Sequence, residues 1–513
     1  MENLEPGTIL PNDPYNEVLI RNVHPPQWIN PTPVGKYNLV VIGAGTAGLV
    51  TAAIASALGA KVALIERHLM GGDCLNVGCV PSKALLRASR VWAEVKNSVE
   101  YGVLADGGFK NDFPAVMARM RKLRSRISEN DSAHRYQNMG VDVFIGEGRF
   151  QGPDSVEVGG KTLRFSKAAI CTGARAALLP IPGLKEAGCL TNETVFSLTG
   201  LPPRLAVIGA GPIGCELAQA FARFGSKVVI LEQAKKILLR EDADAAEIVY
   251  TRMRKEGVTF VFESEIIQIE TRGNEKIIYY EADGAKKNVV VDEILLGVGR
   301  LPNVEELNLE KAGVAYDLKL GVKVDDRLQT SNPRIFASGD ICFGYKFTHT
   351  ADATSQILIQ NALFPHPFGL GYASTGSLII PWCTYTDPEI AHVGLYETDA
   401  KEKGIPVETF SFKMGEVDRA ILDGEDQGFA KILIKKGTDR ILGATIVAAH
   451  AGDLISEITL AMKAGAGLKT ISQTIYPYPT QAEVIKKVAI AWRKSGFTGK
   501  KKKLLKTLFS WTR

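Results

Sequence analysis

Cysteine is scarce in this chain, seven in 513 residues. That scarcity excludes a secreted scaffold held by disulfides and points to a reducing compartment. There, two cysteines close together read as catalytic or metal-binding. Long hydrophobic runs are also missing, and no stretch is apolar enough to span a bilayer. Glu2, Glu5 and Asp13 stand where a secretory leader needs a basic and then an apolar run, so a leader or transit peptide is not expected. Acids are absent from residue 500 onward, where Lys500, Lys501, Lys502, Lys503, Lys506 and Arg513 gather. The whole chain carries only +5. Its body is therefore about neutral, and the basic excess is a tail rather than a nucleic-acid groove.

What is present is ordinary for a soluble protein: 45% hydrophobic and 23% charged residues, in a length that suits about three domains. Residues 1–36 hold seven prolines and read as an extended arm on the surface.

Glycine is abundant and patterned. The segment 41-VIGAGTAG-48, ending in 61-KVALIE-66, repeats at a constant offset of 166 residues as 207-VIGAGPIG-214, ending in 227-KVVILE-232. In each copy an apolar run reads as a buried strand, followed by a Gly-rich turn, a helix and a second strand ending in an acid. Gly43 and Gly209 permit the tight turn, Gly45 and Gly211 let a pyrophosphate approach the backbone, and Gly48 and Gly214 let helix and strand pack. The helix N-terminus offers N–H groups and positive dipole to the phosphates. Glu66 and Glu232, each 18 residues after the last glycine, are placed for a ribose 2′-hydroxyl. Two such units in register imply two dinucleotide sites.

Between them lies 71-GGDCLNVGCVPSKALL-86. On a regular helix the five-residue spacing of Cys74 and Cys79 separates them by about 140°, so bringing them together needs a distorted turn. Gly71, Gly72, Gly78 and Pro81 allow one, and a thiolate at a helix N-terminus is stabilised by unpaired N–H groups.

On these motifs the chain resembles the class I pyridine nucleotide–disulfide oxidoreductases, over roughly Tyr37 to Lys494, and within them the mercuric-reductase-like branch. The resemblance implies an α/β fold with two Rossmann-like dinucleotide-binding domains plus an α+β C-terminal dimerisation domain. The expected organisation is the arm over 1–36, an FAD-binding domain in two parts (37–200 and 326–376), an NAD(P)-binding domain over 201–325, a dimerisation domain over 377–497 and a basic amphipathic tail over 498–513. It further implies that electrons pass from NAD(P)H through FAD to the cysteine pair. Cys74 would be the interchange thiol, and Cys79 the thiolate against the flavin. Lys83 falls at the position beside flavin N5, and Glu216 at that of its partner carboxylate. Thr172 and Gly173 would close the first FAD segment, Gly299 with Arg300 would end the NAD domain, and Asp340 would bond the flavin's ribityl or phosphate side.

The chain departs from the thiol-substrate branches at 476-YPYPTQAE-483, where Tyr478 replaces a histidine while Glu483 is kept. A phenol of pKa near 10 is a poor base at neutral pH, so lipoamide and glutathione are disfavoured as substrates. Tyrosine there is similar to mercuric reductases. Yet the C-terminal vicinal cysteines and the N-terminal CxxC domain of those enzymes are missing, and Cys171, Cys189, Cys215, Cys342 and Cys383 are isolated and read as structural. The acceptor is expected to be a metal ion, a quinone or a disulfide; a dihydrolipoamide dehydrogenase or a flavin-bearing redox sensor are the alternatives. Glu232 favours NADH, with Lys235 and Lys236 near enough to allow NADPH. The expected assembly is a cytoplasmic homodimer without nucleic acid or resident metal. The segment 500-KKKKLLKTLFSWTR-513 reads either as a basic amphipathic helix at the inner membrane face or as a solubilising or packed-back tail.

Overall fold

The strand Lys36–Ile42 is buried at Tyr37 and continuously from Leu39 on, as a strand covered on both faces must be. It lies inside a sheet ordered Asp142–Ile145, Val62–Glu66, Lys36–Ile42, Lys161–Ile170, Ser155–Val158, Arg149–Gly152, with Ile335–Ala337 also on Lys161–Ile170. The first four strands are parallel. The second repeat builds the same order, Thr259–Val261, Lys227–Leu231, Arg204–Ile208, Glu293–Leu296, again all parallel. Even the register is conserved: Val41 faces Leu64 and Val207 faces Ile230. This computed structural model describes residues 7–104 and 108–512; Glu2, Glu5 and Arg513 lie outside that range.

The chain forms two compact units. One holds the residues up to Lys235 and Thr259–Leu378; the other holds Lys236–Val258 and everything from Ile379. The second unit centres on an antiparallel sheet ordered Pro381–Thr384, Glu389–Gly394, Ile441–Ala448, Phe429–Lys435, Val407–Lys413. The helices Ala451–Ala464 and Glu483–Ser495 share its core: Ile455, Ile458, Val484, Ile485 and Val488 lie among Ile432 and Ile446. The helix Ala243–Lys255, inside the span expected for the NAD(P) domain, belongs to this unit instead. Glu241 takes hydrogen bonds from Trp382 Nε1 at 2.9 Å and Tyr396 Oη at 2.8 Å, and Lys431 reaches Asp242 and Asp244 at 2.7 and 2.9 Å.

The arm is not extended throughout. Pro14–Val23 is a helix, with Pro at its start and Asp13 as N-cap accepting from the Asn16 N–H at 2.8 Å, a cap worth about 1 kcal/mol. Leu19 and Val23 are fully buried in the core of the first unit, at roughly 1.5–3 kcal/mol each. Further on, Asn30 closes the free edge of Asp142–Ile145, accepting from Ile145 N–H and donating to its carbonyl. At the other end Gly499–Ser510 is a helix capped by Thr498, with none of its residues buried. Among the described residues no helix is long and apolar enough to cross a membrane.

Candidate active site

The two glycine turns are superposable in their details. Gly43 and Gly209 both have φ 98°, a conformation that side chains avoid. A Cβ on Gly48 would meet the Gly43 carbonyl oxygen at 1.8 Å, and one on Gly214 the Gly209 oxygen at 2.1 Å, so helix and turn touch directly. Beside the middle glycines there is room: the nearest atom to such a Cβ is 3.7 Å away at Gly45 and 3.8 Å at Gly211. The helices Thr46–Ala57 and Pro212–Phe224 start there, with no side chain capping either. Uncapped N–H groups behind a turn without side chains are what a pyrophosphate binds, so both turns fit a dinucleotide. The acids are held alike. Glu66 accepts from Ala44 and His68 N–H at 2.7 and 2.8 Å, and Glu232 from Ala210 and Ala234 N–H at 2.6 and 2.8 Å. Burial pushes the Glu66 carboxyl up, and the two N–H groups oppose it.

The cysteine segment breaks the helix as its glycines require. Cys74 lies on the short helix Gly72–Asn76, Val77 and Gly78 leave helical geometry, and Cys79 opens the long helix Cys79–Lys96. Both sulfurs are thiols. Their hydrogen bond makes Cys74 the proton holder, raising its thiol, with burial adding to this. It also pulls Cys79 down to about 6, helped by the Thr348 hydroxyl, 3.5 Å from its sulfur, and by the charge of Lys83. The pair is polarised, with Cys79 the more acidic sulfur and Cys74 the proton holder. Lys83 Nζ lies 2.9 Å from Glu216 Oε2, a carboxylate only 7% exposed on the second repeat's helix.

Thr172 and Gly173 are clasped to Asn303: the Thr172 hydroxyl donates to its carbonyl, and Asn303 donates back from side chain and backbone. Gly299, at φ 56°, precedes Arg300–Pro302, which pairs with Ala174–Ala176. Arg300 bonds Asp73 and lies 3.7 Å from Asp340, whose carboxyl is raised by burial. In the second unit Tyr478 is 70% exposed and donates to Asp418 at 2.9 Å, not to Glu483, which begins the helix Glu483–Ser495. That bond raises the phenol above its ordinary value.

Sequence reasoning had missed Thr348, Arg300's bridge between Asp73 and Asp340, and Asp418. Thr348 is 269 residues from Cys79 and no motif marks it.

Comparison with known proteins agrees with this geometry. The family model "Pyridine nucleotide-disulphide oxidoreductase" matches residues 37–355, and that family's dimerisation domain matches 380–489. A mercuric reductase of Staphylococcus aureus is 34% identical over 460 residues, 90% of this chain and 83% of the relative. A dihydrolipoyl dehydrogenase of Geobacillus stearothermophilus is 35% identical over 455 residues, 88% of this chain and 95% of the relative. Among solved structures, the HOCl-induced flavoprotein disulfide reductase RclA of Escherichia coli superposes with a TM-score of 0.78 at 29% identity, covering 88% of this chain and 99% of its own. Its Cu(II) complex matches as well, at 28% identity. With two dinucleotide cradles, a polarised cysteine pair and a match to the family's dimerisation domain, the chain belongs to the pyridine nucleotide-disulphide oxidoreductases, as a mercuric-reductase-like FAD- and NAD(P)H-dependent enzyme that works as a homodimer.

Proposed function

We propose that this enzyme reduces a thiophilic metal ion, with Cys74 as the interchange thiol and Cys79 as the thiolate against the flavin. The observation that carries this reading is Tyr478. A phenol raised by Asp418 does not take up a proton at neutral pH, and moving a proton is what a thiol–disulfide substrate requires. A soft metal ion needs thiolate ligands instead, and the Cys74 hydrogen bond, Thr348 and Lys83 lower the Cys79 thiol toward that form. FAD, when bound, relays the two electrons of NAD(P)H to the cysteines. The Lys83 ammonium, held by Glu216, supplies positive charge where electron density gathers. Glu232 supports NADH as the donor. In the homodimer the segment Tyr478–Glu483 reaches the partner subunit's Cys74. The test is an acceptor screen on the pure protein with Hg(II), Cu(II), lipoamide, glutathione disulfide and quinones. Metal-dependent NADH oxidation is the expected result. Lipoamide turnover of about 10 s⁻¹ or more, ordinary for a good enzyme, would refute it.

The enzyme is cytoplasmic in this reading and touches the inner membrane face through its last helix. At ~100° per residue, Leu504, Leu505, Leu508, Phe509 and Trp511 share one arc of about 160°, and Lys502, Lys503 and Lys506 lie opposite. Leu504 and Trp511 are 71% and 81% exposed. Anionic headgroups complement the lysines, and the exposed apolar arc suits the acyl boundary beneath them.

A further inference from the structure

The arm hydrogen-bonds the segment that follows Glu66, at His68 and Met70, and among the described residues the matching segment after Glu232 is bonded by Glu263 instead. His24 Nδ1 donates to the His68 carbonyl, Gly7 N–H donates to His68 Nδ1 at 3.1 Å, and Met70 N–H donates to the Val23 carbonyl at 3.1 Å. The His24 ring fills the space beside Gly7, where a Cβ would come within 2.6 Å of it. His68 in turn donates its N–H to the Glu66 carboxylate at 2.8 Å. The run Glu66–Gly72 then passes in front of the glycine turn, where Gly72 packs on Gly45 and the Gly71 N–H donates to the Ala44 carbonyl at 2.8 Å. In the second unit the residue equivalent to His68 is Ala234, whose carbonyl accepts from Glu263 N–H at 3.2 Å, and the next side chain, Lys235, is 84% exposed.

We infer that residues 7–24 are a strap that locks the adenosine end of FAD in place, acting through His24 and His68 on Glu66, so that the flavin stays resident while the equivalent nucleotide of the second unit exchanges. The inference rests on assigning the first glycine unit to FAD. The strap adds no contact that NAD(P)H could use; it slows flavin escape by holding fixed the segment that carries the ribose-binding acid. Because His68 Nδ1 accepts the Gly7 N–H, the latch needs His68 neutral. Burial, then the charges of His24 and Arg67, push His68 below its ordinary value. The fold therefore favours the neutral ring. The latch is complete at pH 7.5, and because the ring's pKa is lowered it is lost only as the pH falls through that lowered value.

The strap's helix is part of the core, so its deletion would confuse unfolding with unlatching; the test uses His24→Ala in the full-length holoenzyme. Flavin release is followed by the rise in free-FAD fluorescence after dilution at pH 7.5 and 5.5, and NADH affinity by titration. At pH 7.5 release should speed up about tenfold, the consequence of one lost hydrogen bond, with NADH affinity unchanged. Wild type should approach the variant at pH 5.5. Release within twofold of wild type at pH 7.5, or a parallel loss of NADH affinity, overturns the strap. A Gly45→Val chain tests the assignment beneath it separately: if that chain still loads FAD, the first unit is not the flavin site and the strap falls with it.

Discussion

The first and second glycine units are copies in sequence, register and hydrogen bonding, yet their surroundings differ. The first has the arm bonded to the segment after its acid and is followed at once by the cysteine helix. The second has an exposed lysine where the first has its strapped segment, and its helix sends Glu216 toward the other unit's lysine. One fold element thus serves as the seat of a resident cofactor and as a port for an exchangeable one. The turn is the same in both; what is packed around the segment after its acid differs.

The sharpest way to break the comparison is to block each cradle in turn. A Cβ at Gly45 or Gly211 makes only ordinary contact, at 3.7 and 3.8 Å, so Gly45→Val and Gly211→Val add their methyl groups beside the turn with no backbone clash at the Cβ. The first should purify without flavin and be inactive. The second should keep FAD while losing on the order of 100-fold in NADH affinity, since phosphate contacts at the helix end are removed. Absorbance spectra and NADH titration distinguish them, and equal flavin loss in both would end the division of roles.

Next in size is the base that Tyr478 does not supply. Tyr478→His should raise lipoamide or glutathione disulfide turnover by about 10²–10⁴-fold, the usual worth of acid–base catalysis, if the pocket admits them. Tyr478→Phe should leave metal-dependent NADH oxidation within about threefold, because the phenol transfers no proton there. Steady-state rates decide, and a Phe variant dead toward metal would assign Tyr478 a direct role.

A smaller effect separates the chemical end from the binding end. After two-electron reduction, Cys79 should give long-wavelength flavin–thiolate absorbance that fades as the pH falls through about 6, where the thiolate takes up its proton. Cys79→Ser should lack the band while retaining FAD. A band persisting at pH 5 would mean that Cys74 and Lys83 do not set the thiolate's acidity.

The smallest change concerns the tail. A chain ending at Gly499 should keep full activity and lose salt-sensitive co-sedimentation with anionic liposomes. Equal binding by both chains, or none by either, would remove the membrane reading.

Much of this molecule was legible from its residues. The glycine turns read correctly because a left-handed φ at Gly43 and direct helix–turn contact at Gly48 tolerate nothing else. The arm helix had a local signal, Asp13 followed by Pro14, but six other prolines spread over residues 6–33 outweighed it and suggested an extended chain. The transfer of Ala243–Lys255 to the C-terminal unit had no local signal. It follows from Glu241, Asp242 and Asp244 finding Trp382, Tyr396 and Lys431, and such polar partners leave no periodicity to read.

By itself the sequence determined the two cradles and the reactive pair, because each depends on residues within about 30 positions whose spacing the chemistry dictates: a turn without side chains, an acid at the next strand's end, two thiols flanking a helix start. Only the tertiary structure decided which cradle is strapped and that Thr348, 269 residues away, joins Cys74 in steadying Cys79. Those contacts join distant segments through packing, and packing follows from the whole core, in which any single residue is weakly specified until its neighbours are in place.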